Sequence, residues 1–161
     1  MMASACDHPH DDHGLSGGPL KAELDAVEVR CAQIDQRLTA QRRRALELLL
    51  LAGQPMKAYD MIAAFGAAGE PAKPPTVYRA LDFLEKHGFA HRIQSLNAFV
   101  ACRRGLPGHS AAFLICDCCG ATQEVEPMLA SPMEAVASRS GYSVQSLIVE
   151  AHGLCAACRE A

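Results

Sequence analysis

Nowhere does the chain hold an uninterrupted apolar run near the roughly 20 residues that span a bilayer. Its longest runs, Leu48–Ala52 and Ala111–Cys116, are of core length. The first residues, MMASACDHPHDDH, have neither the basic start nor the apolar stretch of a secretory signal, so the expected address is the cytoplasm. No internal repeat is present, and neither is an H-E-x-x-H or H-x-E pattern of the kind that activates water on a metal. That weakens a zinc- or thiol-dependent oxidoreductase, the alternative from another class, and the expectation is a protein that is not an enzyme. What is present suits a folded protein: 161 residues, 50% hydrophobic and 20% charged, enough for one ordinary domain or two small ones. Eight cysteines are many for a reducing compartment, which points to metal binding or redox chemistry rather than a disulfide framework.

Charge is unevenly spread. Residues 1–20 carry three Asp and no Lys or Arg; Arg37 to Arg92 holds nine basic residues against five acidic; residues 101–161 hold four Arg against six acids. A basic first half joined to an acidic, cysteine-rich second half suggests two modules with different partners.

Apolar spacing predicts a helix over Leu20–Leu38, through Leu24, Val27, Cys31, Ile34 and Leu38. A second helix follows Thr39 as N-cap and stops at Gly53, and a third covers Ala58 to Ala67. Pro71, Pro74 and Pro75 interrupt the pattern before TVYRALDFLEKHG. There Val77, Ala80, Leu81 and Leu84 form one stripe, with Thr76, Arg79, Asp82 and Lys86 opposite and Gly88 closing the helix. Phe89–Gln94 and Ala98–Cys102 read as a hairpin about Ser95-Leu96-Asn97. Helices followed by a hairpin is the winged helix-turn-helix order, in which the last helix enters the major groove. Arg79 then lies where a guanidinium reaches guanine, whereas Arg42, Arg43 and Arg44 suit phosphates. Beyond Pro107-Gly108, strands over Ala111–Asp117 and Ala121–Glu126 should be followed by a helix capped at Ser131 and a third strand over Tyr142–Glu150. The expected fold is therefore α+β, a winged-helix domain plus a small C-terminal α/β module.

Cys116-Asp-Cys-Cys119 and Cys155-Ala-Ala-Cys158 are two C-x-x-C units, and together they complete the tetrahedral four-thiolate set of structural zinc. A redox dithiol is the competing reading. Cys118 could replace a neighbouring ligand or be oxidised, and it receives no role. His91, Cys102, His109 and Glu124 lie in segments where the domain junction should be. Two neutral imidazoles, one thiolate and one carboxylate would balance a zinc ion, and the thiolate tilts selectivity toward zinc.

LTAQRRRALELL, AYDMIAAF, KPPTVYRALDFLEKHGFAHRI, FVAC, HSAAFLICDCCG and EAHGLCAAC together resemble the ferric uptake regulator family, most closely its zinc-sensing branch. The resemblance spans about Leu20 to Arg159. It implies a homodimeric, zinc-dependent repressor that binds a palindromic operator on double-stranded DNA and controls zinc homeostasis genes. An iron- or peroxide-sensing regulator of the same family is the alternative. Two zinc ions per protomer are implied, one structural at Cys116, Cys119, Cys155 and Cys158, the other regulatory at His91, Cys102, His109 and Glu124. Tyr59 and Arg79 are the implied DNA readers. The corresponding division is a tail over 1–20, a DNA-binding domain over 21–102, a hinge over 103–110, and a dimerisation and metal-binding domain over 111–161. Ala40 stands where the family has proline, and the tail residues Cys6, His8, His10 and His13 match nothing in its pattern.

Overall fold

The computed structural model describes residues 14–66, 72–104, 110–126, 128, 130–145 and 147–160. These fall into two compact units, 14–104 and 110–160. The tail through His13, the expected helix end at Ala67 and His109 lie outside the described residues. The fold is mixed helix and sheet.

Unit 14–104 opens with α1 (Gly17–Gln33), which buries Leu24, Val27 and Cys31. This helix starts and stops earlier than its periodicity suggests. Its end comes from Asp35, whose positive φ of 53° reverses the chain while the N–H groups of Ile34 and Gln36 bond back to Cys31. A short polar side chain tolerates that left-handed conformation better than most. Ile34 consequently stays outside the helix and is exposed.

Helix α2 (Ala40–Ala52) is capped as its sequence dictates. The Thr39 hydroxyl accepts from the Arg42 N–H at 3.4 Å, and Gly53 closes the helix in the left-handed region. A two-residue strand, β1 (Met56–Lys57), leads into α3 (Ala58–Phe65). Helix α4 (Pro74–Lys86) begins at the prolines expected to break it. Pro74 and Pro75 occupy its first two positions, where no N–H is needed. The whole expected stripe, Val77, Ala80, Leu81 and Leu84, is buried, joined by Phe83.

Strands β2 (Ala90–Ile93) and β3 (Ala98–Ala101) form the expected antiparallel hairpin, and β1 adds to the far edge of β3 through Met56 opposite Phe99. One apolar cluster from all four helices, with Phe89, Ala90 and Phe99, makes the core.

In unit 110–160, β4 (Ala111–Cys116) is the central strand of a sheet ordered β5-β4-β6. The antiparallel strand β5 (Thr122–Val125) returns along it, and α5 (Ala130–Arg139) leads to β6 (Ile148–Gly153), which runs parallel to β4. Helix α5 is described from Ala130, and the capping side chain expected at Ser131 lies outside the described ones. The third strand lies further along the chain than expected. Tyr142 and Val144 are exposed, and pairing starts only where Ile148 meets Ala111. A single turn, α6 (Ala156–Arg159), follows.

Candidate metal centre and DNA-binding face

The parallel register places Cys116 opposite Gly153, so both C-x-x-C units emerge from the same end of the sheet. Backbone bonds lock that end. The Asp117 N–H donates to the Gly153 carbonyl at 2.8 Å, and the Cys155 N–H donates to Cys116 Sγ at 3.3 Å. The sulfurs of Cys116, Cys119, Cys155 and Cys158 all lie within 4.8 Å of one another. A zinc–thiolate tetrahedron with bonds of about 2.3 Å has edges of about 3.8 Å. Cys119 Sγ stands 3.8 Å from Cys155 Sγ, so the donor set fits such an ion.

Among these thiols, burial works to raise Cys116. The N–H groups of Cys119, Cys155 and Cys118, with the Cys119 side chain, outweigh it and bring Cys116 down to about 6. Burial pushes the Cys119 thiol up, and burial with the neighbouring thiols does the same to Cys158. One thiol is therefore poised as a thiolate, and a cation is what would let Cys119 and Cys158 ionise beside it.

A pair that the sequence reading did not connect flanks this site. His152 Nδ1 lies 2.8 Å from Asp117 Oδ1, tying the two cysteine segments together from outside. Its sequence signal is that Asp117 lies inside one C-x-x-C unit and His152 three residues before the other.

In unit 14–104, His91 and Cys102 are buried, and their ligand atoms approach within 4.8 Å. The hairpin explains why. His91 on β2 pairs with Val100 on β3, and strand alternation puts Cys102 on the same face one diagonal step away. The Cys102 N–H is fixed on the Phe89 carbonyl at 2.9 Å. Glu124 lies in the other unit, half-buried on β5 opposite Phe113.

Arg79 projects into solvent from α4, with Thr76 half-buried one turn earlier. Tyr59 stands at the start of α3 with 79% of its surface exposed. Tyr78, beside Arg79, is a further large exposed aromatic, which the helical wheel alone could have flagged.

The guanidinium groups of the three consecutive arginines each have partners within the protein. Arg42 stacks 3.5 Å over the Phe83 ring and donates to the Arg37 carbonyl. Arg43 bridges to Asp25 and Glu28 on α1 at 3.1 and 3.0 Å. Arg44 pairs with Glu47 and donates to the Ala64 carbonyl.

The profile of the Ferric uptake regulator family matches residues 33–152, and the chain belongs to that family. It is 43% identical to the zinc uptake regulation protein of Escherichia coli (strain K12) over 139 residues, 85% of this chain and 81% of that protein. It is similar to a structure of a zinc uptake regulator complexed with zinc and DNA, at TM-score 0.84 and 41% identity, covering 89% of this chain and 97% of the other. A crystal structure of holo XcZur matches at TM-score 0.81 and 44% identity, covering 87% and 99%.

Proposed function

We propose that this protein is a cytoplasmic, zinc-responsive transcriptional repressor that binds palindromic operator DNA as a zinc-loaded homodimer and controls zinc uptake genes. The observation that carries the reading is the His91–Cys102 pair, a nitrogen–sulfur donor set on the hairpin directly after the helix that bears Arg79. Similarity to a regulator solved with zinc and DNA supports it.

In this reading, the winged-helix domain expected over 21–102 takes in α1 from Gly17, so the expected tail over 1–20 is corrected at its end; 103–110 is a hinge and 111–161 a dimerisation domain. Helix α4 enters the major groove. Arg79 hydrogen-bonds a guanine, and Thr76 and Tyr59 contact the DNA beside it. Cys116, Cys119, Cys155 and Cys158 hold a structural zinc, which supplies a cross-link and no chemistry. His91, Cys102, His109 and Glu124 hold the regulatory zinc. Because ligands come from both units, zinc occupancy favours the DNA-competent arrangement, and by linkage DNA tightens zinc binding by the same factor. Two recognition helices in a dimer would then meet successive major grooves about 34 Å apart. Leu114, Met133, Val136 and Ile148, exposed apolar residues of unit 110–160, support a surface for a second copy.

The test is capture of genomic DNA by the reduced protein at buffered free zinc, beside matched samples with Fe²⁺, Mn²⁺ or chelator. Capture of a palindromic site with zinc alone is expected. Preference for iron or manganese would move the protein to another branch of the family, and capture indifferent to metal would overturn the regulator reading.

A further inference from the structure

The edge between β4 and β6 brings Cys155 to Cys116, yet little in its packing fixes which residues pair. None of the six residues of β6 is buried, whereas five of the six in β4 are. Parallel backbone bonds form equally well in neighbouring registers, and a strand without a buried face specifies its register weakly. We infer that the Asp117–His152 pair is a register pin. It holds β6 where the second C-x-x-C unit meets the first, which makes both residues positioning residues for the four-sulfur site. The inference rests on the structural zinc reading above.

Three observations carry it. The pair spans both segments: the carboxylate can only accept, so His152 Nδ1–H donates to Asp117 Oδ1 at 2.8 Å, across 35 residues of chain. Its Asp117 end is anchored without β6, because the Cys116 N–H on the Ala121 carbonyl and the Gly120 N–H on the Cys116 carbonyl close the turn from β4 to β5. Its His152 end reads position. His152 lies opposite Ile115. A slip of one residue would turn the imidazole to the other face of the sheet, and a slip of two would carry it about 6.6 Å along the strand. Neither is compatible with the contact to Asp117. Glu150, 4.0 Å from Nε2 of the ring, cannot read register, since it rides on the same strand and moves with His152. The same slips would carry Cys155 away from Cys116 Sγ, to which its N–H donates at 3.3 Å. The pin and the donor set thus share one register, and the pin selects it without an ion.

The test uses the full, reduced chain in a C102S background, which removes the thiolate of the regulatory site. D117A, H152A, D117A/H152A and D117N are titrated with Co²⁺ against a competing chelator and followed by sulfur-to-cobalt charge-transfer absorption, with circular dichroism as the check on folding. At saturation both single alanine variants should reach the parent's spectrum, since the four sulfurs are untouched, but with about tenfold weaker affinity. The double variant should be no weaker than either single one, because all three lose the same contact. D117N, whose amide oxygen still accepts, should stay near the parent. Parental affinity in both alanine variants, or a double variant as weak as the two effects multiplied, would overturn the pin. A parent without a tetrahedral cobalt–thiolate spectrum would instead overturn the zinc centre itself. Amide exchange of the zinc-loaded chains separates a pin from general loosening. In H152A the Asp117 N–H, bonded to the Gly153 carbonyl, should exchange faster, while the Cys116 N–H, bonded to the Ala121 carbonyl, keeps its protection. Protection unchanged at Asp117, or lost equally at both, would overturn the inference.

Discussion

Single residues divide the two cysteine sites by the work each side chain does. Cys102 is buried beside His91 in a unit whose apolar core does not need it, whereas Cys155 gathers the ends of a thinner one. Cys102→Ser is expected to leave thermal unfolding of residues 14–104 nearly unchanged and to abolish zinc-dependent DNA retention in a gel-shift assay. Cys155→Ser should remove one equivalent of zinc and loosen unit 110–160, visible as lost amide protection. Identical behaviour of the two variants would defeat the division. His87 offers a pH handle. Burial lowers its imidazole below the ordinary value, helped by Lys86 and Arg42, and the ring packs 4.5 Å from Phe83. The unfolded chain therefore binds the proton more readily. His87 contributes stability that is complete above its unfolded value and lost as pH falls toward its lowered folded value. Between about pH 7 and 5, His87→Gln should flatten the decline of the unfolding midpoint relative to the natural protein. The four-cysteine set was legible at this scale because each pair sits within one tight turn. The engagement of Arg42 and Arg43 was not, since their partners Phe83, Asp25 and Glu28 are far away in sequence, whereas the Arg44–Glu47 pair is a local i,i+3 one.

For the elements, α4 carries the argument from pattern to packing. Its apolar stripe is fully buried and its polar face open, so the same helix anchors the core and presents Arg79. Leu84→Ala should cost roughly 2–5 kcal/mol in chemical denaturation, the usual range for a buried leucine. A cost under about 1 kcal/mol would mean that α4 is less tightly held than its burial implies. Periodicity revealed this helix because thirteen residues repeat the pattern several times. It could not reveal β1, where two residues contain no period, or the end of α1, which one left-handed aspartate decides. The displaced third strand has a similar cause. Tyr142 and Val144 look like strand residues, yet the partner register with β4 selects Ile148–Gly153.

The whole molecule joins a well-cored unit to one whose buried residues, among those described, lie on a single strand. Ala111, Ala112, Phe113, Ile115 and Cys116 are the buried side chains of residues 110–160 among those described, while the larger unit packs four helices on one another. A module so thin is expected to draw much of its folding free energy from its metal, on the order of 10 kcal/mol for a structural zinc. Removal of all zinc with a strong chelator should therefore release amide protection throughout β4, β5 and β6 while the helices of 14–104 keep theirs. Uniform loss across both units, or none in either, would contradict this.

The parallel pairing of β4 with β6 also sets an order of events in time. Ala111 meets Ile148 only after β5 and α5 have been laid down between them, whereas the first unit is mostly helix, whose backbone bonds are local. Long-range parallel pairing is slow because a large loop must close before any contact rewards it. Refolding should thus be biphasic, the helical unit first and the sheet second. Free zinc would accelerate only the late phase, so the ion would act as a chaperone for the strand register before it acts as a brace.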